Sequence, residues 1–536
     1  MWMTPRLLPA QPAQQANTCA TCHEQGKKLE TSAHAALTCD TCHEGHEKVP
    51  HPEGIAKPAC TSCHTDQATA FEDSVHGQAA KGGNEGAPDC AVCHGDAHEL
   101  RQPKSAEFRT SVPDTCAMCH SDVVDEFRAS VHGQAVARGV TQAPLCTDCH
   151  GEHDIKKHTS AASPVHSNNI RDTCGSCHGD VRLTRKFGLP ADRMVSFDSS
   201  YHGLASKTGS QTVANCASCH GVHNILPSSD AKSTIHPKNL GNTCGTCHPG
   251  AGQRFAISQV HVSEGGQEPA AMRWVRQFYL LLIPLLIGLM LLHNAGDWVR
   301  KAVRIRRYGI PAARPGGHRE VRMFGFERIQ HALLVLSFMT LVWTGFALKY
   351  PDQWWARPLL LWGESLRSLV HRIAGVVFIV VSVAHVVSLV VSRRLREHWK
   401  EMLPKMRDVP EAWNNFAYNV GVRSKRPSRS AHSYIEKAEY WAVVWGAVIM
   451  AGTGLMLWAN NLMLALLPKV WLDAATSIHF YEALLATLAI LVWHFYSVIL
   501  DPEVYPLDTA FLTGVSVREH AVEEEKPEEE AETAAR

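Results

Sequence analysis

The sequence is dominated by one short motif, Cys-x-x-Cys-His, which occurs nine times and uses all 18 cysteines of the chain. Two thiols three residues apart can bond to the two vinyl groups of a haem, and the histidine that follows then reaches the haem iron. Zinc ribbons and disulfides place no demand on the residue after the second cysteine. Nine histidines in nine motifs therefore predict nine covalently attached c-type haems.

Each motif supplies two attachment cysteines and one proximal iron ligand. The predicted attachment pairs are Cys19 with Cys22, Cys39 with Cys42, Cys60 with Cys63, Cys90 with Cys93, Cys116 with Cys119, Cys146 with Cys149, Cys174 with Cys177, Cys216 with Cys219, and Cys244 with Cys247. The predicted proximal ligands are His23, His43, His64, His94, His120, His150, His178, His220 and His248.

Two further histidine motifs alternate with the haem motifs and form an internal repeat. One reads Ser-x-His, often preceded by phenylalanine and followed by glycine, and supplies His34, His76, His132, His202 and His261. The other places a histidine shortly after the haem motif and supplies His46, His98, His153 and His223. Together they number nine, as many as the second axial ligands that nine bis-histidine haems require, so we expect these to be the distal ligands.

Other histidines compete for the distal role. They are His51, His166 and His236, each shortly before a haem motif, and the spare His158. The pairing of histidines with haems is open at this point, because a distal ligand often comes from a neighbouring unit. If every iron is six-coordinate, none is open to a substrate, which favours electron transfer over reduction of a small oxyanion.

The fold expected around these haems has little regular structure. Roughly thirty residues per haem are too few to build a conventional hydrophobic core. We therefore predict a multihaem cytochrome c domain at 19–265, made of short helices and loops packed around the haems.

The second half of the chain, residues 271–500, has no cysteine and is mostly apolar. It contains five stretches that reach the length of about 20 residues needed to cross a bilayer. We name them span 1 to span 5 and predict them at 275–297, 326–348, 369–391, 439–459 and 477–499. Residues 271–500 are thus predicted to be an all-α transmembrane bundle of five helices.

The links after span 1 and span 3 are rich in lysine and arginine, so the positive-inside rule places both in the cytoplasm. The haem-c domain is then periplasmic, the protein is a multi-pass inner-membrane protein, and residues 501–536 form an acidic cytoplasmic tail. The segment 1–18 has no apolar export signal, so we expect that signal upstream or already removed. The formal net charge is zero, and we expect no nucleic-acid partner.

Histidine inside a membrane span is costly and marks a functional site. Span 2 contains His331, span 3 contains His371 and His385, and span 5 contains His479 and His494. The gaps of 14 and 15 residues within spans 3 and 5 correspond to about 21–23 Å along a helix at ~1.5 Å per residue. This separation can place one haem near each leaflet, so we predict two b-type haems.

Spans 2–3 and spans 4–5 also resemble each other, with WTGFAL ending span 2 and GTGLML ending span 4. Aligning these segments puts Tyr440 against His331, His479 against His371, and His494 against His385. This internal duplication would pair His385 with His494.

The stretch ERIQHALLVLSFMTLVWTGFAL, the histidine that opens span 3 and the two histidines of span 5 resemble the di-haem cytochrome b subunits of formate dehydrogenase and nickel-iron hydrogenase. The resemblance covers about 326–500. It implies that His331 pairs with His494 and that His371 pairs with His479. The departures are an extra leading span and His385. Under this pairing His385 becomes a proton acceptor beside a quinone, a role for which Glu364 and Glu482 are further candidates.

The order of the two halves, with nine haem motifs, is similar to the CbcL-type inner-membrane cytochromes of metal-reducing bacteria. That resemblance implies a menaquinol:cytochrome c oxidoreductase with two haem b and nine haem c, which passes electrons from the quinol pool to soluble periplasmic c-type cytochromes for extracellular metal-oxide respiration. Two alternatives are open: a quinone-reducing entry subunit for a periplasmic dehydrogenase, and a multihaem terminal reductase.

Overall fold

The computed structural model describes residues 18–44, 46, 49–53, 58–190, 192–249, 261, 269–309, 321–425, 427 and 433–515. Nearly all of the predicted N-terminal segment and most of the predicted acidic tail lie outside these residues. Within them the chain is helical, and its extended residues pair only at one isolated bridge between Val321 and Val515, so the described part contains no β-strand.

The chain forms two compact units. One consists of Met1–Val195 and Gln211–Thr243, and the other of Ser196–Ser210 and Cys244–Arg536. The ninth haem motif and the short helix that carries His202 thus belong to the unit that holds the membrane helices, although the sequence predicts a boundary near residue 265. Within this second unit, the Thr208 hydroxyl donates a hydrogen bond to Glu364 at 3.3 Å.

The first unit is built from short helices, as expected. Its α-helices are Gln25–Leu29, Thr65–Glu72, Val75–Lys81, Cys90–His94, Ala106–Ala129, Val131–Ala137, Cys146–His150, Ile170–His178, Val181–Lys186 and Cys216–His220. Its 3₁₀ turns are Thr18–Thr21, Cys39–Thr41 and Cys60–Ser62. Two more helices, Arg193–Ser199 and Leu240–Gly245, begin in the first unit and end in the second. The longest helix, Ala106–Ala129, is broken at the fifth haem motif, because His120 has non-helical angles of φ −116° and ψ 45°.

The haem-motif half has few buried apolar side chains. Between residues 18 and 249 the buried hydrophobic residues of the described chain are Val124, Ala143, Leu145, Met194 and Ala205. A chain of this length normally buries well over half of the surface that it exposes when unfolded. Protein side chains alone therefore supply little of a core here.

The Ser-x-His motif has a defined local structure. Ser130 Oγ accepts a hydrogen bond from the backbone N–H of Gly133 at 3.1 Å and donates one to the carbonyl oxygen of Phe127 at 2.6 Å, which caps the helix N-terminus. A Cβ on Gly133 would lie 2.1 Å from that carbonyl oxygen, so only glycine fits. The copies around His76 and His202 have the same contacts. The motif thus fixes each histidine in the first turn of a short helix.

The described residues of the second unit contain five helices that are long and apolar enough to cross a membrane. They are Ala270–Tyr308, Gly325–Lys349, Gly363–Val391, Tyr434–Trp458 and Lys469–Leu500. The five predicted spans are confirmed, and each helix begins earlier than predicted. The protein is therefore a multi-pass membrane protein. The shorter helices of this unit are Tyr201–Lys207, Arg357–Leu360, Arg393–Trp399, Asp408–Asn419, Asn460–Leu466 and Ala510–Thr513, with a 3₁₀ turn at Lys400–Met402.

Span 2 packs against span 3, and span 4 packs against span 5, so each half of the internal duplication forms a helix pair. Span 1 packs against span 5. There the Asn294 side chain donates a hydrogen bond to the carbonyl oxygen of Val492 at 2.7 Å, and the backbone of span 5 widens into π-helical turns at Ile490–His494 and Tyr496–Leu500. Such widened turns are frequent at functional sites, and this one contains His494.

Candidate functional site

The two cysteines of each haem motif lie one helical turn apart. At the first, second, third and ninth motifs the backbone N–H of the second cysteine donates a hydrogen bond to the carbonyl oxygen of the first, at 3.1 to 3.3 Å. At the other five motifs both cysteines belong to one α-helix. Residues three apart on a helix share a face, so both thiols of a motif can reach the same edge of a porphyrin.

The second cysteine of each haem motif, like the first, is a predicted haem attachment point. The structure has no disulfide among the described cysteines. The exposed second cysteines are Cys22, Cys42, Cys63, Cys93, Cys119 and Cys247, and the half-buried ones are Cys149, Cys177 and Cys219. These side chains are accessible to a large group, as attachment requires, and their covalent bonds to haem stay a prediction, as do those of the first cysteines.

The histidines of the haem motifs face second histidines across a nearly constant gap. In the first unit the ring centroids lie 5.9 to 6.3 Å apart in seven pairs, His23–His51, His34–His64, His43–His98, His76–His120, His94–His153, His132–His178 and His150–His223. Two imidazoles that bind one metal ion from opposite sides, each at ~2.0–2.1 Å, hold their centroids roughly 6 Å apart. The spacing of the pairs fits an iron between them.

The pairs follow a regular order along the chain, and the sequence alone does not determine which histidine faces which haem motif. Four Ser-x-His histidines, His34, His76, His132 and His202, each face the second haem motif downstream, as His76 faces His120. Three trailing histidines, His98, His153 and His223, each face the second haem motif upstream, as His153 faces His94. Burial, and secondarily His178, lowers the pKa of His132 to about 4, so this imidazole is neutral at pH 7, as a metal ligand must be.

The first haem motif departs from the expected set. His23 faces His51, which belongs to the competing set, at 6.0 Å between ring centroids. His46 was expected as a distal ligand, but in the structure its ring lies edge-on to His51 at 6.4 Å. The structure thus brings His51, and not His46, opposite the first motif.

Two other histidines that compete for the distal role, His166 and His236, have contacts typical of turns. Nδ1 of His166 accepts a hydrogen bond from the backbone N–H two residues later at 3.3 Å, and Nδ1 of His236 does the same at 3.2 Å. The remaining expected distal ligand, His261, has Nδ1 3.0 Å from Ser196 Oγ. This contact would orient the ring to bind through Nε2, and its ligand role stays a prediction.

Successive haem motifs of the first unit lie against each other through their cysteines. The side chains of Cys116 and Cys146 share a hydrogen bond, which together with burial raises the pKa of the Cys116 thiol. Cys174 and Cys216 share a similar bond, and it raises the pKa of the Cys174 thiol. The predicted attachment points of successive haem motifs are thus adjacent, an arrangement that would suit electron transfer from haem to haem.

The ninth haem motif is built by residues of the second unit. His202 and His248 face each other with ring centroids 6.2 Å apart. Nδ1 of His248 lies 3.0 Å from the side-chain oxygen of Asn461, in the helix Asn460–Leu466. Because an amide oxygen only accepts, Nδ1 of His248 donates, which leaves Nε2 as the nitrogen that can bind a metal. Burial is the largest cause that lowers the pKa of His202.

The two histidines that open spans 3 and 5 form the first membrane pair. The ring centroids of His371 and His479 lie 6.5 Å apart. Thr344 Oγ1 lies 2.7 Å from Nδ1 of His371, and Thr453 Oγ1 lies 2.8 Å from Nδ1 of His479. Each threonine donates its own proton to the carbonyl four residues earlier, so it accepts from the imidazole N–H. We call these four residues the His371 site.

A glycine follows each of these threonines and makes room for the imidazole. A Cβ on Gly345 would lie 3.4 Å from Cε1 of His371, and a Cβ on Gly454 would lie 3.3 Å from Cε1 of His479. The distance at Gly454 is shorter than ordinary van der Waals contact, and the distance at Gly345 is at its lower limit. The Thr-Gly dipeptides in WTGFAL and GTGLML therefore position the two histidines of one site, a role that the duplication in the sequence does not by itself reveal.

The second membrane pair lies at the other end of the bundle. His331 and His494 have ring centroids 6.4 Å apart. Glu439 Oε2 lies 3.3 Å from Nδ1 of His494, and Glu439 Oε1 accepts a hydrogen bond from Ser497 Oγ at 3.2 Å. We call these four residues the His331 site. The structure thus brings together the two pairs that the family resemblance implies.

His385 lies beside aromatic residues instead of His494. Its Nε2 is 3.1 Å from the Tyr440 hydroxyl, and its ring lies edge-on to Trp399 with the centroids 5.1 Å apart. Trp399 Nε1 donates a hydrogen bond to the buried carboxylate of Glu327. We call these four residues the His385 cluster. Three of them were not predicted as site residues.

One cavity of about 2490 Å³ connects these features. Eight histidines line it: His202, His248, His331, His371, His385, His398, His479 and His494. Pockets for ordinary small ligands measure about 300–1,000 Å³, so this space can hold several large planar groups. Gln330 also lines it, and the buried Nε2 of Gln330 has no hydrogen-bond partner among the described residues.

The other two candidate proton acceptors have structural partners. Glu364 forms a buried ion pair with Arg367 at 2.5 Å and accepts the hydrogen bond from Thr208. Glu482 accepts a hydrogen bond from the Tyr279 hydroxyl at 2.8 Å. Neither is among the described residues that line the cavity, whereas His385 is.

Comparison with known proteins finds one family. Residues 322–509 match the family described as prokaryotic cytochrome b561. No curated protein and no solved structure was found to match the chain. The matched residues begin just before span 2 and end beyond span 5, so they contain the His371 site, the His331 site and the His385 cluster.

Proposed function

We propose that the whole chain is a menaquinol:cytochrome c oxidoreductase, because its membrane half matches the prokaryotic cytochrome b561 family, whose members bind haem b and transfer electrons across a membrane. The proposal is that electrons pass from menaquinol through two haem b and nine haem c to soluble periplasmic cytochromes, for extracellular metal-oxide respiration. One observation carries it: the cavity that both membrane histidine pairs line is also lined by His202 and His248 of the ninth haem motif.

The His371 site and the His331 site are the proposed haem b sites. Their ring separations of 6.5 and 6.4 Å fit a bis-histidine iron, and the partners of His371, His479 and His494 contact each Nδ1, which leaves each Nε2 to bind an iron. The bound haems would supply one-electron redox chemistry. The protein positions them and tunes them through these hydrogen bonds.

The proposed haem c sites combine the nine cysteine pairs with the histidine pairs. Eight of the nine motif histidines face a second histidine across about 6 Å. For the first motif we propose His51 in place of His46. A second histidine opposite eight of the nine motif histidines also favours an electron-transfer chain over a terminal reductase, because a reductase needs an iron that is open to substrate.

The His385 cluster is the proposed menaquinol site. Oxidation of menaquinol releases two electrons and two protons, so the site needs a proton acceptor. His385 supplies an imidazole nitrogen that is held by the Tyr440 hydroxyl, and Gln330 supplies a buried donor for a quinone oxygen. Trp399 and Tyr440, with ring centroids 4.7 Å apart, offer aromatic faces for the quinone ring.

The proposed orientation follows from the basic links after spans 1 and 3, which the positive-inside rule places in the cytoplasm. The haem-c domain is then periplasmic, and the His385 cluster, at the end of span 3, lies on the cytoplasmic side.

A haem count and a redox titration of the purified protein test the proposal together. We expect nine haem c and two haem b per chain in a pyridine haemochrome assay. We expect the c haems to titrate at or above the potential of menaquinone. A protein without haem b would contradict the assignment, and c haems that all lie well below menaquinone would indicate the reverse direction, quinone reduction.

A further inference from the structure

The two membrane sites hold their histidines by different groups. At the His371 site both imidazole N–H groups donate to threonine hydroxyls, Thr344 and Thr453. At the His331 site the imidazole of His494 donates to a carboxylate, Glu439. The internal duplication is thus broken at the residues that orient the ligands.

This difference has a known physical consequence. A carboxylate oxygen accepts a hydrogen bond more strongly than a neutral hydroxyl does. The bond makes the imidazole more basic, and a more basic ligand stabilises the oxidised iron and lowers its reduction potential. Glu439 should therefore lower the potential of the haem that His494 binds.

The charged residues that line the cavity should also make the reduction potential at the His331 site lower than that at the His371 site. Beside the His371 site, at the ends of spans 2, 3 and 5, lie the cations Lys349, Arg367, Arg372 and Lys469 with one acid, Asp473. Beside the His331 site lie the acids Glu327, Glu436, Glu439 and Asp508 with one cation, Arg322.

Ion pairs cancel part of each set, since Lys469 pairs with Asp473 and Arg367 with Glu364, while Arg322 pairs with Glu436. Lys349 and Arg372 then leave a positive balance beside the His371 site, and Glu327 and Glu439 leave a negative balance beside the His331 site. Positive surroundings favour the reduced haem, and negative surroundings favour the oxidised haem.

We propose that Glu439 is a positioning residue that makes the His331 site the low-potential haem b site, so that electrons run downhill from it to the His371 site and on towards His202 and His248. This inference rests on the proposed function, because it requires two bound b haems. It adds to that function the direction in which electrons pass between the two b haems. Glu327 of the His385 cluster is four residues from His331 on span 2, so quinol there would meet the low-potential site first.

Anaerobic potentiometric titration of the full-length protein, followed in the haem b α-band, tests the proposal. We expect two b components with separate midpoint potentials. His331→Gln should remove the lower component and so identify it. Glu439→Gln should shift that lower component upwards and leave the upper one unchanged. Thr453→Val is the matched control, because it removes the acceptor of His479 and should shift the upper component alone.

Ser497→Ala provides a second test if Glu439→Gln fails to retain haem. The Ser497 hydroxyl donates to Glu439 Oε1, so its removal makes the carboxylate a stronger acceptor and should shift the lower component further down. An unchanged lower component in the haem-containing Glu439→Gln or Ser497→Ala variant overturns the inference, as does loss of the upper component in His331→Gln. Fewer than two b haems in the wild-type protein would instead contradict the proposed function.

Discussion

His202 and His248 face each other with ring centroids 6.2 Å apart, within the unit that contains the five membrane helices. Asn461, in the short helix between spans 4 and 5, lies 3.0 Å from Nδ1 of His248 and fixes that ring. The ninth haem motif is therefore built as part of the membrane half, and we propose that electrons enter the predicted series of c haems there.

Replacing His202 should interrupt transfer at this point. His202→Gln removes the ring opposite His248, so one of the nine c haems should become high-spin. Reduction of the remaining c haems by a menaquinol analogue should slow by at least tenfold, while the b haems still become reduced. The control is His236→Gln, whose ring contacts a backbone N–H in a turn and should leave the spin state unchanged. Equal behaviour of the two variants would contradict the assignment.

The first haem motif offers a choice between two neighbouring histidines. The His51 ring faces His23 at 6.0 Å, whereas His46 lies edge-on to His51. We expect His51→Gln to produce one high-spin haem and His46→Gln to produce none, as measured by electron paramagnetic resonance of the oxidised protein. The opposite result would restore His46 as the ligand.

The threonine of the His371 site should matter for haem retention. Thr344→Val keeps the shape of the side chain but removes the acceptor that lies 2.7 Å from Nδ1 of His371. Loss of such a supporting hydrogen bond typically weakens binding about 10–100-fold. We expect lower haem b content after detergent washing, with Thr344→Ser retaining it. A fully loaded Thr344→Val protein would argue against a supporting role of this hydroxyl.

His331 and His385 should differ when each is changed to glutamine. His331 faces His494, so His331→Gln should lose one haem b in a pyridine haemochrome count. His385 faces Tyr440, so His385→Gln should keep both b haems and oxidise a menaquinol analogue at least tenfold more slowly. Loss of a b haem in His385→Gln would support the alternative pairing of His385 with His494.

The glycine of the Ser-x-His motif should resist substitution. A Cβ on Gly133 would lie 2.1 Å from the carbonyl oxygen of Phe127, and relief of such overlap costs about 1–3 kcal/mol or more. Gly133→Ala should lower the thermal unfolding midpoint and perturb the haem that His132 and His178 would bind. Gly82→Ala is the control, because its nearest contacts are ordinary at 3.4 Å. Equal unfolding midpoints for the two variants would show that the helix start tolerates a side chain.

The features that local sequence determines could be predicted. The haem-attachment prediction rests on residue spacing alone, and the five spans follow from apolar length, so the predicted and observed helices agree. The register of the distal histidines could not be read, because each faces the second haem motif along the chain and depends on how the repeats pack. His51 shows this limit, since it lies outside both recurring motifs.

The supporting residues of the membrane sites were harder to predict for a related reason. Glu439 is an ordinary glutamate of span 4 until span 5 places His494 beside it. The Thr-Gly dipeptides were visible as a duplication, but their role needs spans 3 and 5, which bring His371 and His479 against them. The His385 cluster likewise joins residues of spans 2, 3 and 4 with a helix between them.

Anaerobic stopped-flow mixing of the oxidised protein with a menaquinol analogue tests the proposed path from quinol to the c haems. We expect that the haem b absorbance changes first and that the haem c absorbance follows, with the c phase abolished in His202→Gln. If neither the b haems nor the c haems become reduced, or if the c haems are reduced without the b haems, the proposed path from quinol to the c haems is contradicted.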